Sequence, residues 1–175
     1  MSEKQPADVV AQSLQDEPLM VSQIAVVCRD LQKTMEQYTK LLGWAPWNVY
    51  RHEPPRLHHT ELHGEPTEYT MLGAETQAGG IGFELLQPLE GRSLYTEWLE
   101  EHGEGLHHVA VMLHDADESA SLKSRFAEIG ASVLMGGRIG ETIEYFYLDT
   151  EPSLKIILES GSGHAIDLQP DYVYP

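Results

Sequence analysis

An internal repeat is the feature of this chain that most constrains its fold. Two stretches carry the same order of apolar segments and turn signals, which predicts the element order β-α-β-β-β in each. The matched positions are Gln23 with His108, Gly43 with Gly130, and Glu84 with Glu159. The repeat therefore predicts an α+β protein built from two tandem βαβββ modules.

The repeat also sets the expected boundaries of the modules. Residues 20–102 form the first module with its linking helix, and residues 103–160 form the second. Residues 1–19 are polar and acidic, so we expect an N-terminal arm, and residues 161–175 are expected to form a C-terminal tail with a flexible SGSGH exit.

Local patterns predict the elements of the first module. The segment VSQIAVVC is a strand. DLQKTMEQYTKLLGW is a helix capped by Asp30 and ended by Gly43, with an apolar face of Leu31, Met35, Tyr38, Leu41 and Leu42. WNVYRH is a short strand, and EPPRLHHTELHGEP is a loop. TEYTMLGAE and IGFELLQP are strands joined by a turn over Gly79 and Gly80.

A helix over SLYTEWLEEHG joins the modules. Ser93 is its predicted cap, and Glu97 stands near the capping-box position. In the second module LHHVAVML is a strand, and a helix ending at Gly130 follows. The three remaining strands are ASVLMGG, TIEYFYLD and LKIILES.

Charge and composition exclude several partners. The formal net charge is −17, and such a field repels a phosphate backbone, so we expect no nucleic-acid partner. The single cysteine, Cys28, cannot form a disulfide within the chain. No stretch has the length of apolar sequence that a membrane span or a signal peptide needs. We therefore expect a cytoplasmic protein that binds no membrane.

The segment GEGLHHVAVML raises the question of which of its two histidines is functional. Neighbouring residues on a regular strand point to opposite faces, so we expect His107 and His108 to face opposite sides. The repeat selects His108, because this residue matches Gln23 and His107 does not.

Glu84 and Glu159 are the second matched pair, and each is a single carboxylate inside an apolar run. A buried carboxylate is costly unless it is paired or bound to a metal. Gln23, Glu84, His108 and Glu159 together would suit an octahedral divalent ion with two open positions. The alternative is that both glutamates face outward and His108 is an ordinary core histidine.

These modules and four positions resemble the vicinal oxygen chelate superfamily, over about residues 20 to 160. The stretch FELLQPLEGRSLYTEWLEEHGEGLHHVAVML is similar to the central segment of methylmalonyl-CoA epimerases. The resemblance implies a curved mixed sheet around one divalent metal ion (Co, Mn, Ni, Mg, Zn or Fe) and a homodimer. Glutamine at position 23 is similar to some glyoxalase I enzymes, whereas the epimerases usually have histidine there.

The resemblance implies a small-molecule carbonyl substrate and an isomerase or epimerase. Such an enzyme removes a proton alpha to a carbonyl through a metal-stabilised enolate. Glu159 is the preferred base because the equivalent ligand is the base in glyoxalase I, and Glu84 and Glu68 are the alternatives. The long loop differs from the epimerase pattern, so the substrate need not be a coenzyme A thioester.

Three other functions remain open. A glyoxalase I-type lyase would act on a thiol adduct of an α-ketoaldehyde. An extradiol dioxygenase is disfavoured because Gln23 replaces one of its two histidines. A metal-free drug-binding protein, like the bleomycin resistance proteins, would not need buried carboxylates. Further candidate pocket residues, for which a surface or packing role is expected first, are Arg51, His58, His59, Tyr95 and His107.

Overall fold

The computed structural model describes residues 18–113, 115–163 and 168–175. The predicted N-terminal arm lies outside these ranges except for its last two residues. None of the helices in the described ranges is both long and apolar enough to cross a membrane.

The elements follow the order predicted by the repeat, with three additional strands and one additional short helix. The strands are β1 Gln23–Val27, β2 Trp47–His52, β3 Leu57–Leu62, β4 Glu65–Pro66, β5 Tyr69–Ala78, β6 Ile81–Gly91, β7 Gly105–Ala110, β8 Val133–Ile139, β9 Ile143–Leu148, β10 Ile157–Ser162 and β11 Tyr172–Tyr174. The helices are α1 Leu31–Leu42, α2 Leu94–Glu101, α3 Ala116–Glu128 and α4 Glu151–Leu154.

Within the described ranges, one mixed sheet has the strand order β11-β2-β5-β6-β1-β7-β10-β9-β8-β3-β4. The first half contributes β2-β5-β6-β1 and the second contributes β8-β9-β10-β7, so both halves have the same internal order. The first strands of the two halves, β1 and β7, pair antiparallel at the centre. Each also pairs in parallel with the last strand of its own half. This topology confirms the predicted α+β fold of two βαβββ units.

The sheet must curl, because β2 and β3 follow each other in the chain and yet lie far apart in the strand order. Only residues 53–56 connect them, and such a connection spans at most roughly 18 Å. The two ends of the sheet are therefore close in space, and its inner face encloses the centre of the molecule.

The outer faces of the two halves are covered by the two long helices. Leu31 and Met35 of α1 pack against the first half, and Leu122 and Phe126 of α3 pack against the second. Asp30 caps α1 by accepting a hydrogen bond from the main-chain N–H of Lys33 at 3.0 Å, as predicted.

The predicted apolar face of α1 was wrong at its end. The helix stops at Leu42, and Gly43 follows in the left-handed conformation with φ 72°. Leu41 and Leu42 lie in the last turn, beyond the part of the helix that packs on the sheet, and they are exposed.

The capping box of α2 contains Thr96, the residue before Glu97. The Thr96 hydroxyl accepts from the Ser93 N–H at 2.9 Å, because the third residue after the cap is the one that can reach back. Glu97 instead pairs with Arg92 and His63 on the surface.

The segment 53–66 was predicted as a loop, and this prediction was wrong. It contains β3 and β4, and β3 pairs with β8 of the second half. A register shift between His58 and Glu61 interrupts the alternation, which hides the strand in the sequence. The C-terminal tail also contains a strand, β11, which pairs with β2.

Candidate functional site

All four matched residues belong to the inner face of the sheet. Phe83 and Leu85 pack under α1, and Leu158 packs under α3, so the intervening Glu84 and the adjacent Glu159 point inward. On the paired central strands, Ala25 lies opposite His108 and packs in the inner core. Gln23 has the same parity as Ala25 and lines an interior cavity.

The tightest contact of the site joins His108 to Glu159. The Nε2 atom of His108 lies 2.9 Å from Oε2 of Glu159 and 3.7 Å from Oε2 of Glu84. His108 Nε2 and Glu159 Oε2 are both buried, and neither has a hydrogen-bond partner of acceptable geometry. Two polar atoms thus approach closely without the alignment that a shared proton requires.

This geometry fits two ligands of one metal ion. Ligands at about 2.1 Å from an octahedral ion, at right angles to each other, lie about 3.0 Å apart. Within the described residues no group of three His, Cys, Asp or Glu side chains is close enough to hold a metal ion, and Glu84 stands further from His108 than Glu159 does. The close pair, the nearby Glu84 carboxylate and the Gln23 amide nevertheless make a donor set suited to a divalent ion.

The two adjacent histidines share one side of the sheet, so the expectation of opposite faces was wrong. The register between β1 and β7 shifts at this point, with Ala25 opposite His108 and Val26 opposite Leu106. His107 is the extra residue of this β-bulge, which turns its ring inward beside Tyr95 and Tyr147.

The bulge gives His108 a partner that can orient it. The Nδ1 atoms of the two histidines lie 2.8 Å apart. Burial, followed by the neighbouring His108, holds the pKa of His107 well below its usual range, so His107 is neutral. If His107 accepts at Nδ1, His108 donates there and keeps a lone pair on Nε2, which is the tautomer a metal ligand needs.

A third carboxylate, Glu75, faces the same cavity and was missed by the sequence reasoning. It lies directly opposite Glu84 in the β5–β6 hairpin. Burial, followed by the charge of Glu159, raises the pKa of Glu75 to about 7. Burial, Glu75 and Glu159 raise the pKa of Glu84 well above its usual value. The predicted turn at Gly79 and Gly80 could have revealed that Glu75 faces Glu84, because these two glutamates lie equally far from the turn.

His52 is the second residue that was missed. It ends β2, is buried, lines the cavity, and has no hydrogen-bond partner at Nδ1. Burial and the nearby Arg56 lower its pKa to about 4, so the ring is neutral near pH 7. The signal was the alternation of WNVYRH, in which Tyr50 and His52 share the face opposite to Trp47.

The cavity has a volume of about 440 Å³ and is lined by both polar and apolar residues. Its polar or charged lining residues are Ser22, Gln23, His52, Glu75, Gln77, Glu84, Tyr95, Tyr145, Tyr147 and Glu159. Its remaining lining residues are Met71, Gly82, Met112, Ile139, Ile143, Gly163 and Leu168.

Four buried tyrosines pack beside the carboxylates in two hydroxyl pairs. Tyr95 and Tyr147 lie 2.7 Å apart at their hydroxyl oxygens, and Tyr69 pairs with Tyr145. Burial is the first cause that raises the pKa of each well above its usual value, with the charge of Glu159 contributing. All four are neutral hydrogen-bonding groups at physiological pH.

The other candidate residues are not all brought to the cavity. Glu68 is exposed, while the next residue, Tyr69, points inward. Arg51 and His59 are exposed, and His58 contacts the carbonyl oxygen of Gly140 at 2.8 Å. Tyr95 lines the cavity, and Nδ1 of His107 contacts Nδ1 of His108.

Comparison with known proteins agrees with this architecture. A family model described as the Glyoxalase/Bleomycin resistance protein/Dioxygenase superfamily matches residues 22–147. No curated protein matches the chain.

Solved structures share the fold at low identity. A hypothetical protein from Bacillus halodurans C-125 has a TM-score of 0.56 at 16% identity, covering 83% of this chain and 94% of that chain. A methylmalonyl-CoA epimerase from Streptomyces coelicolor, in complex with 2-nitronate-propionyl-CoA, has a TM-score of 0.52 at 25% identity, covering 83% and 97%. The methylmalonyl-CoA epimerase from Mycobacterium tuberculosis has a TM-score of 0.51 at 17% identity, covering 82% and 87%.

The family match runs from residue 22 into β9, and the curled sheet agrees with it. The chain belongs to the Glyoxalase/Bleomycin resistance protein/Dioxygenase superfamily, the vicinal oxygen chelate proteins.

Proposed function

We propose that the protein is a divalent-metal-dependent isomerase or epimerase that moves a proton alpha to a carbonyl group. The observation that carries this proposal is the 2.9 Å approach of His108 Nε2 to Glu159 Oε2, both buried and neither hydrogen-bonded. A buried histidine and carboxylate held in this way are stabilised by a shared cation.

Gln23, Glu84, His108 and Glu159 would hold the ion, and His107 would orient the ring of His108. A bound divalent ion supplies Lewis acidity, which lowers the pKa of a proton alpha to a carbonyl. The identity of the ion among Co, Mn, Ni, Mg, Zn and Fe is left to the experiment.

The carboxylates supply the proton transfer. Epimerisation needs one group that removes a proton and one that returns a proton to the other face of the same carbon. Glu159 on β10 is our preferred base, with Glu84 on β6 as the alternative. Glu75 on β5 comes from the opposite half of the sheet to Glu159, which makes it a suitable proton donor for the return step. We propose no role for the exposed Glu68.

The first test is the metal content of the purified protein after reconstitution with Co, Mn, Ni or Zn. We expect about one ion per chain, and loss of that ion in the double variant His108→Ala, Glu159→Gln. The matched control is the double variant His102→Ala, Glu101→Gln, which changes two exposed residues and is expected to keep the ion. Absence of metal from every sample would contradict the proposal and leave a metal-free binding protein as the best account.

A second candidate, a glyoxalase I-type lyase, is favoured by Gln23 at the cavity wall. Both reactions begin with removal of a proton beside a carbonyl, so metal content does not separate them. Turnover of the glutathione adduct of methylglyoxal, followed by the absorbance of the product thioester, would identify the lyase. Solvent deuterium incorporation without net conversion of a carbonyl probe would identify the isomerase.

A further inference from the structure

The charges of the cavity wall point to the kind of substrate it accepts. Three carboxylates line it, those of Glu75, Glu84 and Glu159, and no lysine or arginine is among its described lining residues. A divalent ion bound by Glu84 and Glu159 would be neutralised by those two ligands. No net positive charge would then remain for an anionic substrate.

Two arginines close to His52, a residue of the cavity wall, are already paired. Arg56 lies near His52, but its guanidinium contacts Asp171 and the carbonyl oxygen of Arg51. Arg51 itself pairs with Glu53 at 2.5 Å. These partners already balance much of the positive charge of the two arginines.

The lining of the cavity also contains apolar and aromatic side chains. These include Met71, Ile139, Ile143 and Leu168, together with the ring of Tyr145. Burying an apolar group of about the size of a phenyl ring against these side chains is favourable.

His52 provides a polar contact in the same lining. Its Nε2 lies 3.5 Å from the position that a Cβ of Gly73 would occupy, and Oε1 of Glu84 lies 3.8 Å from the same point. The missing side chain of Gly73 leaves this space between ring and carboxyl group open. Nε2 of His52 borders this space and Nδ1 is buried without a partner, so the ring can exchange a hydrogen bond at Nε2 with a substrate oxygen placed there.

We propose that the substrate is an uncharged, compact ketone with an aromatic or aliphatic body, oriented by a hydrogen bond with His52. This inference rests on the proposed function and narrows it. It disfavours free keto acids, whose carboxylate would meet three glutamates and no lysine or arginine among the described lining residues, and coenzyme A thioesters, whose bulky anionic part would have to lie outside a cavity of about 440 Å³.

The test uses two probes of similar shape on the metal-loaded protein. The uncharged probe is 2-hydroxyacetophenone and the anionic probe is benzoylformate, each with a phenyl ring and neighbouring oxygens. Propionyl-CoA represents the thioesters. By isothermal calorimetry we expect 2-hydroxyacetophenone to bind at least tenfold more tightly than either of the others. Equal or tighter binding of benzoylformate or propionyl-CoA, or no binding of 2-hydroxyacetophenone, would overturn the inference.

Variants test the role of His52. His52→Phe keeps an aromatic ring but removes the hydrogen bond, and we expect about a tenfold loss of affinity for 2-hydroxyacetophenone. His63→Phe, at an exposed histidine outside the cavity, is the control and should leave the affinity unchanged. Unchanged affinity in folded His52→Phe protein would remove His52 from the proposal.

Deuterium exchange separates failure of this inference from failure of the proposed function. Exchange at the alpha carbon of propionyl-CoA by metal-loaded protein would uphold the isomerase and overturn the uncharged substrate. Preferred binding of 2-hydroxyacetophenone by a protein that takes up no metal and exchanges no proton would support the substrate class and refute the isomerase.

Discussion

Glu75, Glu84 and Glu159 face one cavity, although like charges opposite each other on a sheet are destabilising. Each carboxylate must be protonated or compensated by a cation, because an unpaired buried charge is costly. A protein that needed only a stable core would have apolar residues at these positions. The three carboxylates therefore indicate a function that outweighs their cost in stability.

The pKa of Glu75 predicts a pH dependence of the metal-free protein. This carboxyl group has a pKa of about 7 in the folded state against 4.5 as its ordinary value. The folded state therefore binds more protons between these values, and the contribution of Glu75 to the free energy of unfolding falls as the pH rises from about 4.5 to about 7. We expect Glu75→Gln to lose less stability than the parent over this range in urea unfolding. Glu65→Gln, at an exposed position, is the control, and a parent-like slope in Glu75→Gln would contradict the prediction.

The hydroxyl pair of Tyr95 and Tyr147 predicts a strong coupling between two variants. Each single change to Phe leaves the other buried hydroxyl without its partner at 2.7 Å, which costs on the order of 1–3 kcal/mol. The double change removes both polar atoms, so its cost should be well below the sum of the singles. Urea unfolding of the four proteins measures this, and additive costs would show that the pair does not interact.

The sequence alone predicted the residues that the repeat links and missed those that it does not. Gln23, Glu84, His108 and Glu159 were found by matching positions. Glu75 and His52 have no chemical counterpart in the other half, so only strand pairing and alternation could have revealed them.

At the scale of elements, the bulge at His107 and the extra strands β3 and β4 escaped prediction for a common reason. Both depend on a shift in register, and a shift becomes visible only when the partner strand is known. Helix ends carried local signals instead, and Asp30, Gly43 and Ser93 were predicted correctly.

Gly161 shows how closely β10 lies against its neighbour. A Cβ built at this residue would be 1.9 Å from the carbonyl oxygen of Glu144, which is main chain and cannot move without separating β9 from β10. We expect Gly161→Ala to lower the free energy of unfolding by about 3 kcal/mol.

Gly73→Ala is the matched control for this strand glycine. Its Cβ would meet His52 at an ordinary contact distance of 3.5 Å, so we expect a change below about 1 kcal/mol. Equal costs for the two variants in urea unfolding would show that the close approach at Gly161 does not limit stability.

At the scale of the molecule, strand pairing between the two halves makes them depend on each other. β1 of the first half pairs with β7, and β3 of the first half pairs with β8. We expect fragments 18–102 and 103–175 to show no cooperative thermal unfolding alone by circular dichroism, and to regain it when mixed. A cooperative transition in either isolated fragment would show that the halves are independent domains.

The pairing of β3 with β8 joins strands that the ribosome synthesises at different times. At 5–20 residues per second, the chain between Leu62 and Ile139 takes roughly 4 to 15 seconds to synthesise. During that interval the edge of β3 that will pair with β8 is open and could recruit a strand from another chain. The exposed charges of Glu61 and Glu65 on the hairpin of β3 and β4 oppose such pairing. These two surface residues are therefore expected to protect the nascent chain from aggregation.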